Sequence, residues 1–336
     1  MDKEKRILLE TVDGFGAKII AVWGDFILDE YLYGTTRRVS REAPVLILSY
    51  QKKDFSLGGA GNSVLNLKAL GARPLPIGIV GADGPGDQVI GLLRSQNIPT
   101  RYIRRMKAYE TPVKTRILAG EENTRKQQIL RIDKESRVPR DGKFKQHLSS
   151  FLREARREAD ALLISDYHYQ TVEESIFSNV LPFWTRARRP VTVDSRFRLL
   201  RFKGATAATP NEPEAEAALQ LELGDDVPRL KRAGSLLLKK LQARALLITR
   251  GSRGMALFEK RRPPFLIPVH GTTDIVDVTG AGDTVISVFT LALACGASFR
   301  IAMKLANYAG GLAVMKKGTA TVTAEELKGV ISSEIG

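Results

Sequence analysis

Lys18-Ile19-Ile20-Ala21-Val22-Trp23-Gly24-Asp25 is a short apolar run that stops on a glycine and a carboxylate. An unbroken apolar run of this length reads as a strand buried on both faces. Further along, four runs end in the same way: residues 75–80 at Gly81, 161–164 at Ser165-Asp166, 191–193 at Asp194, and 245–248 at Thr249-Arg250-Gly251. Helical patterns alternate with them over residues 62–70, 87–96, 143–157, 172–188, 212–221 and 228–241. The alternation predicts an α/β fold with a central, mostly parallel sheet flanked by helices. Ligands of such folds bind beyond the carboxyl ends of the strands, where Asp25, Asp166, Asp194 and Arg250 all stand.

Two stretches break the alternation. Residues 45–51 run apolar with no helix until Gly58, and residues 101–132 hold three strand-like pieces with no helix between them. They predict a small antiparallel β lid, made of segments of about 31–54 and 101–133, on one domain spanning 1–336. No internal repeat or low-complexity linker divides the chain.

The 336 residues are 43% hydrophobic and 26% charged, as expected of a globular protein with a substantial core. The single cysteine, Cys295, excludes an internal disulfide and fits a reducing, cytoplasmic setting. The charged N-terminus lacks the apolar stretch of a secretory signal, and the most apolar segment, 285–297, is too short to span a membrane. It reads as a buried helix. The net charge of +15 is spread over many segments, with no zinc spacing, aromatic-basic signature or basic tail. Specific nucleic-acid binding is therefore not expected; a basic surface that attracts phosphorylated small molecules is.

The most chemically pointed stretch is Asp277-Val278-Thr279-Gly280-Ala281-Gly282-Asp283, which opens the apolar helix. Small residues let backbone N–H groups approach an anion at a helix N-terminus, and Asp283 sets a carboxylate beside it. That pairing suits phosphoryl transfer: donors for the phosphoryl oxygens, and a base for the attacking hydroxyl. The same pattern also describes a helix start with an acidic first turn. A second small-residue cluster, Gly58-Gly59-Ala60-Gly61-Asn62, opens another helix where a sugar can lie against backbone.

The Asp277–Asp283 run resembles the signature of the PfkB/ribokinase carbohydrate kinases, and the resemblance runs from about Ile19 to Leu327. Within that family it is closest to kinases that phosphorylate D-glycero-β-D-manno-heptose 7-phosphate at the anomeric hydroxyl. The residues that carry this are Gly24-Asp25-Phe26-Ile27-Leu28-Asp29-Glu30-Tyr31, Tyr33-Gly34-Thr35-Thr36, Ser40-Arg41-Glu42-Ala43-Pro44-Val45, residues 128–133, Ser165-Asp166-Tyr167, Gly204-Ala205-Thr206 and Thr209-Pro210-Asn211. The resemblance implies a ribokinase-like fold, ATP as co-substrate, Mg²⁺, and a heptose 1,7-bisphosphate product used to build nucleotide-activated heptose for lipopolysaccharide. It implies Asp283 as base, with Gly280, Ala281 and Gly282 holding the phosphoryl group. Substrate contacts fall to Asp25, Asp29, Gly58, Gly59, Asn62, Lys114, Arg116 and Asp166. The nucleotide side falls to Asn211, Thr249, Gly251, Gly254 and Asn307. Asn211 and Glu214 match an Asn-x-x-Glu element that organises Mg²⁺ mostly through water, though an N-cap explains the same residues.

Three departures concern the substrate side. Gly61 stands where alanine is expected, His168-Tyr169-Gln170 replace Ala-Lys-Gly, and Asp194-Ser195-Arg196 replace Asp-Pro-Lys. His168 is a further candidate ligand contact. The resemblance also implies a homodimer joined through the lids and a kinase-only form served by a separate nucleotidyltransferase. The alternatives are a kinase of this fold acting on another sugar, sugar phosphate or nucleoside, and, from a different class, a non-catalytic basic binding protein.

Overall fold

The computed structural model describes residues 3–121, 126–136, 138, 143–271, 277–316, 318 and 320–333. Its strands in chain order are β1 (Ile19–Gly24), β2 (Phe26–Val39), β3 (Leu46–Gly59), β4 (Arg73–Gly81), β5 (Ile103–Met106), β6 (Val113–Gly120) and β7 (Gln127–Lys134). There follow β8 (Ala161–Asp166), β9 (Val191–Ser195), β10 (Ala207–Ala208), β11 (Ala245–Thr249), β12 (Met255–Glu259) and β13 (Phe265–Ile267).

Among the described residues, nine strands form one sheet in the order β13-β12-β11-β10-β9-β8-β1-β4-β5. From β11 to β5 every neighbouring pair is parallel, and β12 and β13 continue it antiparallel. The apolar runs are continuous because both faces are covered. In β1, Ile20 and Val22 face one core with the helices Ala60–Ala69, Ala281–Ala294 and Phe299–Val314. Ala21 and Trp23 face a second core with the helices Lys143–Ala155 and Glu174–Arg186. Most of the apolar segment at 285–297 is a buried helix, Ala281–Ala294, with every residue from Asp283 to Leu293 inside, and residues 295–297 lie beyond its end.

A second sheet of four strands, ordered β3-β2-β6-β7, forms the smaller layer. It is antiparallel at β2–β3 and β6–β7, and parallel where β2 meets β6. The lid segments expected at 31–54 and 101–133 need one adjustment. Of the three pieces in the second segment, β5 joins the edge of the large sheet beside β4, and only β6 and β7 join the small one. Residues 122–125 of that segment lie outside the described residues. Strand β2 begins directly after β1, at Phe26, so the first strand of the core leads straight into the lid.

Candidate active site

The ends of β8, β9 and β11, the N-terminus of the Ala281–Ala294 helix and the inner face of the small sheet enclose a cavity of about 570 Å³. Its walls bring together Asp29, Gly58, Gly59, Lys114, Arg116, Asp166, Asn211, Glu214, Thr249, Gly280, Gly282 and Asp283, residues drawn from the whole length of the chain.

Gly280 caps the helix with φ 80° and ψ 0°, a left-handed turn that glycine adopts without strain. Asp277 secures the turn by accepting N–H bonds from Thr279 (2.9 Å) and Gly318 (3.0 Å). A Cβ on Gly282 would meet no protein atom closer than Asp194 Oδ2 at 4.0 Å, so the space beside this glycine is open cavity. Ala281 is different: its N–H already donates to the Val278 carbonyl at 3.3 Å, and it does not line the cavity.

Asp283 is 3% exposed. Asn62 Nδ2 donates to its Oδ2 at 2.8 Å, Ser63 Oγ to its Oδ1 at 3.3 Å, and the Tyr167 hydroxyl lies 3.3 and 3.2 Å from the two oxygens. Burial raises its pKa to about 6, against the pull of these three donors. A carboxyl group with that value is ionised at neutral pH and still basic enough to take a proton in a transition state.

The opposite wall is charged. Arg116 Nη1 donates to Asp29 Oδ1 at 2.6 Å, and both side chains are largely buried. Lys114 and Arg131 both pair with Asp133, at 2.9 Å each. Burial raises the Asp29 pKa while Arg116 opposes the shift. A Cβ on Gly58 would fall 2.5 Å from Asp29 Oδ2, so glycine is what allows the carboxylate to sit here.

At the far end, Asn211 and Glu214 form a reciprocal capping box: Glu214 N–H donates to Asn211 Oδ1 (2.8 Å) and Asn211 N–H to Glu214 Oε2 (2.9 Å). Asp194 lies close by, its pKa pushed well above the ordinary carboxylate value by burial and by Glu214, Asp283 and Asp166. Thr209 also lines this end, and its Oγ1 is buried without a hydrogen-bond partner. Among the described residues, no cluster of three His, Cys, Asp or Glu is placed to hold a metal directly. One or two carboxylates beside an orphaned hydroxyl do fit Mg²⁺ that keeps its waters and binds phosphates.

Several sequence-derived candidates lie elsewhere. Asp25 is fully buried and absent from the cavity wall, and its oxygens accept N–H bonds from Tyr167 (2.9 Å), Tyr169 (3.1 Å) and Thr171 (3.1 Å). It organises the loop after β8 rather than facing a ligand. Asn62 is not on the wall either; its side chain is bonded to Asp283. Asp166 touches the cavity, but its oxygens are taken by Arg198, Ser195 Oγ (2.6 Å) and the His168 N–H (3.1 Å). His168 is exposed, stacks edge-on to Phe197 and does not line the cavity. Gly251 lines a neighbouring surface groove, Gly254 sits in the turn from β11 to β12, and Asn307 donates to the Pro268 carbonyl at 2.9 Å.

Tyr167, Thr209, Gln128, Arg131, Asp194 and Arg196 line the cavity without having been given a role from sequence. The position of Asp194 at a strand end was the signal available for it. Arg198, which neutralises Asp166, carried none.

A mostly parallel sheet with helices on both faces, a buried carboxylate at a helix N-terminus and a β lid over the strand ends form an arrangement suited to phosphoryl transfer. The pattern described as pfkB family carbohydrate kinase matches residues 18–326. "Bifunctional protein HldE" of Geobacter metallireducens is 39% identical over 309 residues, covering 92% of this chain and 62% of the relative. The protein of the same name from Caulobacter vibrioides is 36% identical over 328 residues, covering 96% and 65%. The chain thus spans less than two thirds of the length of these relatives. Arabidopsis thaliana ribokinase complexed with ribose and ATP shares the fold, with a TM-score of 0.71 at 19% identity over 94% of this chain and 99% of that one. Escherichia coli phosphofructokinase-2 in complex with fructose-6-phosphate gives 0.71 at 18% identity, covering 94% and 98%. The chain belongs to the PfkB family of carbohydrate kinases.

Proposed function

We propose that the chain transfers the γ-phosphoryl group of ATP to the anomeric hydroxyl of D-glycero-D-manno-heptose 7-phosphate, giving heptose 1,7-bisphosphate and ADP. The observation that carries this reading is a single cavity with a buried base on one wall and a cationic lid on the other. The sugar hydroxyl oxygen attacks the γ-phosphorus, the bond to the β–γ bridging oxygen breaks, and the hydroxyl proton passes to Asp283. Gly280 and Gly282 give the phosphoryl oxygens access to the helix N-terminus, with Ala281 as the residue that shapes it. Asn62 orients the base.

Asp29, Gly58 and Gly59 hold sugar hydroxyls, while Lys114, Arg116 and Arg131 receive the phosphate already on the sugar. That lid charge, with 36–39% identity to the HldE proteins and the heptose-kinase motifs, favours a sugar phosphate over a neutral sugar. Asn211 and Thr249 face the nucleotide; Gly251, Gly254 and Asn307 shape the loops beside it. Mg²⁺ held through water near Asn211, Glu214 and Asp194 would offset phosphate charge. The use of ATP fits a cytoplasmic enzyme. No helix among the described residues is long and apolar enough to cross a membrane.

The lid also supports the homodimer reading. Val39, Val45, Leu46, Ile47, Tyr50, Ile129, Leu130 and Ile132 are all exposed on it, and a second lid would cover them.

The test is a panel of ATP with heptose 7-phosphate, fructose 6-phosphate, ribose and nucleosides, with the product's new phosphate located by ³¹P NMR. Turnover of another acceptor beside none of the heptose phosphate would sink the substrate assignment and leave the kinase.

A further inference from the structure

We propose that Tyr167 is a positioning residue for the base, its phenol holding the Asp283 carboxylate, and that Asp25 holds the phenol in place through the 167–171 loop. The inference rests on the reading of Asp283 as base.

The Tyr167 hydroxyl reaches both Asp283 oxygens, at 3.3 and 3.2 Å, whereas Asn62 and Ser63 each donate to one. A donor shared between the two oxygens restrains rotation of the carboxylate and leaves lone pairs for a substrate proton. The loop that presents this phenol is unusual. His168 and Gln170 have φ of 72° and 70°, the left-handed region that side chains other than glycine rarely adopt. The intervening N–H groups of Tyr167, Tyr169 and Thr171 all turn onto the one carboxylate of Asp25. Alternate N–H groups converging in this way form a nest-like site for an anion, and here the anion is part of the protein.

The loop is tied at its far end as well: the Trp23 indole donates to the Thr171 carbonyl at 3.3 Å, and Arg198 Nη2 to the Val172 carbonyl at 2.8 Å. A fully buried Asp25 cannot touch substrate, so its function has to act through what it holds.

The titratable and polar groups that face Asp283 come from several elements. The Ala60–Ala69 helix offers neutral Asn62 and Ser63. Strand β2 offers Asp29, paired with Arg116, and the end of β9 offers Asp194 and Arg196, the latter 5.7 Å from the Tyr167 ring. The negative neighbours disfavour the Asp283 anion, and the Tyr167 donor favours it.

Tyr167→Phe removes only that donor. In ligand-free protein the Asp283 carboxyl titration, followed by ¹³C NMR, should move upward by about half a pH unit or more. The acid limb of kcat/KM with ATP and heptose 7-phosphate should move with it, while KM for ATP stays within about twofold. Asp25→Asn should shift the same limb in the same direction, less far, and add little to Tyr167→Phe. Should Asp25→Asn fail to fold, the amide ¹⁵N shifts of Tyr167, Tyr169 and Thr171 in the unaltered protein report the link. They follow the Asp25 titration if the proposal holds and stay flat if it does not. An unmoved Asp283 titration in Tyr167→Phe, with Asp283→Asn inactive, overturns the role of Tyr167 and keeps the base. Full activity in Asp283→Asn removes the base, and the proposal with it.

Discussion

The wall that carries Asp283 and the wall that carries Arg116 face each other across one cavity, yet they are held by different forces. The first is the end of a helix packed through the core from Asp283 to Leu293, and its carboxylate is steadied by three neutral donors. The second belongs to a four-stranded sheet outside the main one, where the charged residues at the cavity are held in ion pairs and the outer strands expose large apolar side chains. Neutral hydrogen bonds inside a packed core hold a group still and leave its charge uncompensated, as a base requires. Ion pairs at a part-buried wall hold charge in store that an anionic ligand can take over.

The sharpest way to break the comparison is Asp283→Asn. It keeps the shape of the helix wall and removes the proton acceptor, so kcat should fall about 10²- to 10⁴-fold with KM for both substrates little changed. The unaltered enzyme should lose kcat/KM about tenfold per pH unit below about pH 6, where Asp283 becomes protonated. The stability sign runs the other way. Because burial raises the folded-state pKa above the ordinary carboxylate value, the ionised form opposes folding. The contribution of this group to stability therefore grows as pH falls through about 6 toward 4. Melting curves at pH 7.5 and 5.5 should show a gain on acidification that is smaller in Asp283→Asn; an equal gain would deny the shift.

On the lid wall the expected effect is smaller and falls on a different parameter. Arg116→Met strands the buried Asp29 and removes a cation from the sugar end, so KM for the sugar phosphate should rise about 10- to 100-fold while KM for ATP is kept. Adding Asp29→Asn should recover thermal stability without recovering KM. Recovery of both would make the pair structural and end the contrast between the walls.

How legible each wall was from sequence follows the same division. The helix wall is local in sequence, and a glycine run before an apolar helix gave the turn, the first-turn carboxylate and the buried helix from a dozen consecutive residues. The core strands were legible because apolar runs ending on Gly or Asp are likewise local. The lid was legible as a break in the alternation, but β5 was not separable from it, since only its pairing with β4 decides which sheet it joins. Asp25 was misread for a related reason. A carboxylate at a strand end looks alike whether it meets a ligand or backbone, and its first partner, Tyr167, lies 142 residues away. The Tyr167–Asp283 contact spans 116 residues and leaves no mark in periodicity or spacing.

The smallest effect tests how stiff the helix wall is. Gly61 precedes Asn62 in the helix Ala60–Ala69, and the family resemblance leads one to expect alanine there. A Cβ at Gly61 would lie 2.8 Å from Leu57 Cβ, an atom fixed by the backbone of β3, and Leu57 is itself 1% exposed. Alanine favours the helix over glycine by about 1 kcal/mol, while overpacking a well-filled site costs about 1–3 kcal/mol. The net is a loss of about 1 kcal/mol, a fall of about 2 °C in Tm. The displacement needed to relieve the contact is a few tenths of an ångström and is passed to Asn62, whose Nδ2 is bonded to Asp283 at 2.8 Å. Gly61→Ala should therefore lower kcat by about two- to fivefold and leave KM for the sugar phosphate alone, the reverse of Arg116→Met. A change in KM with kcat intact would mean that the displacement travels along β3 into the lid, and that the two walls are mechanically one.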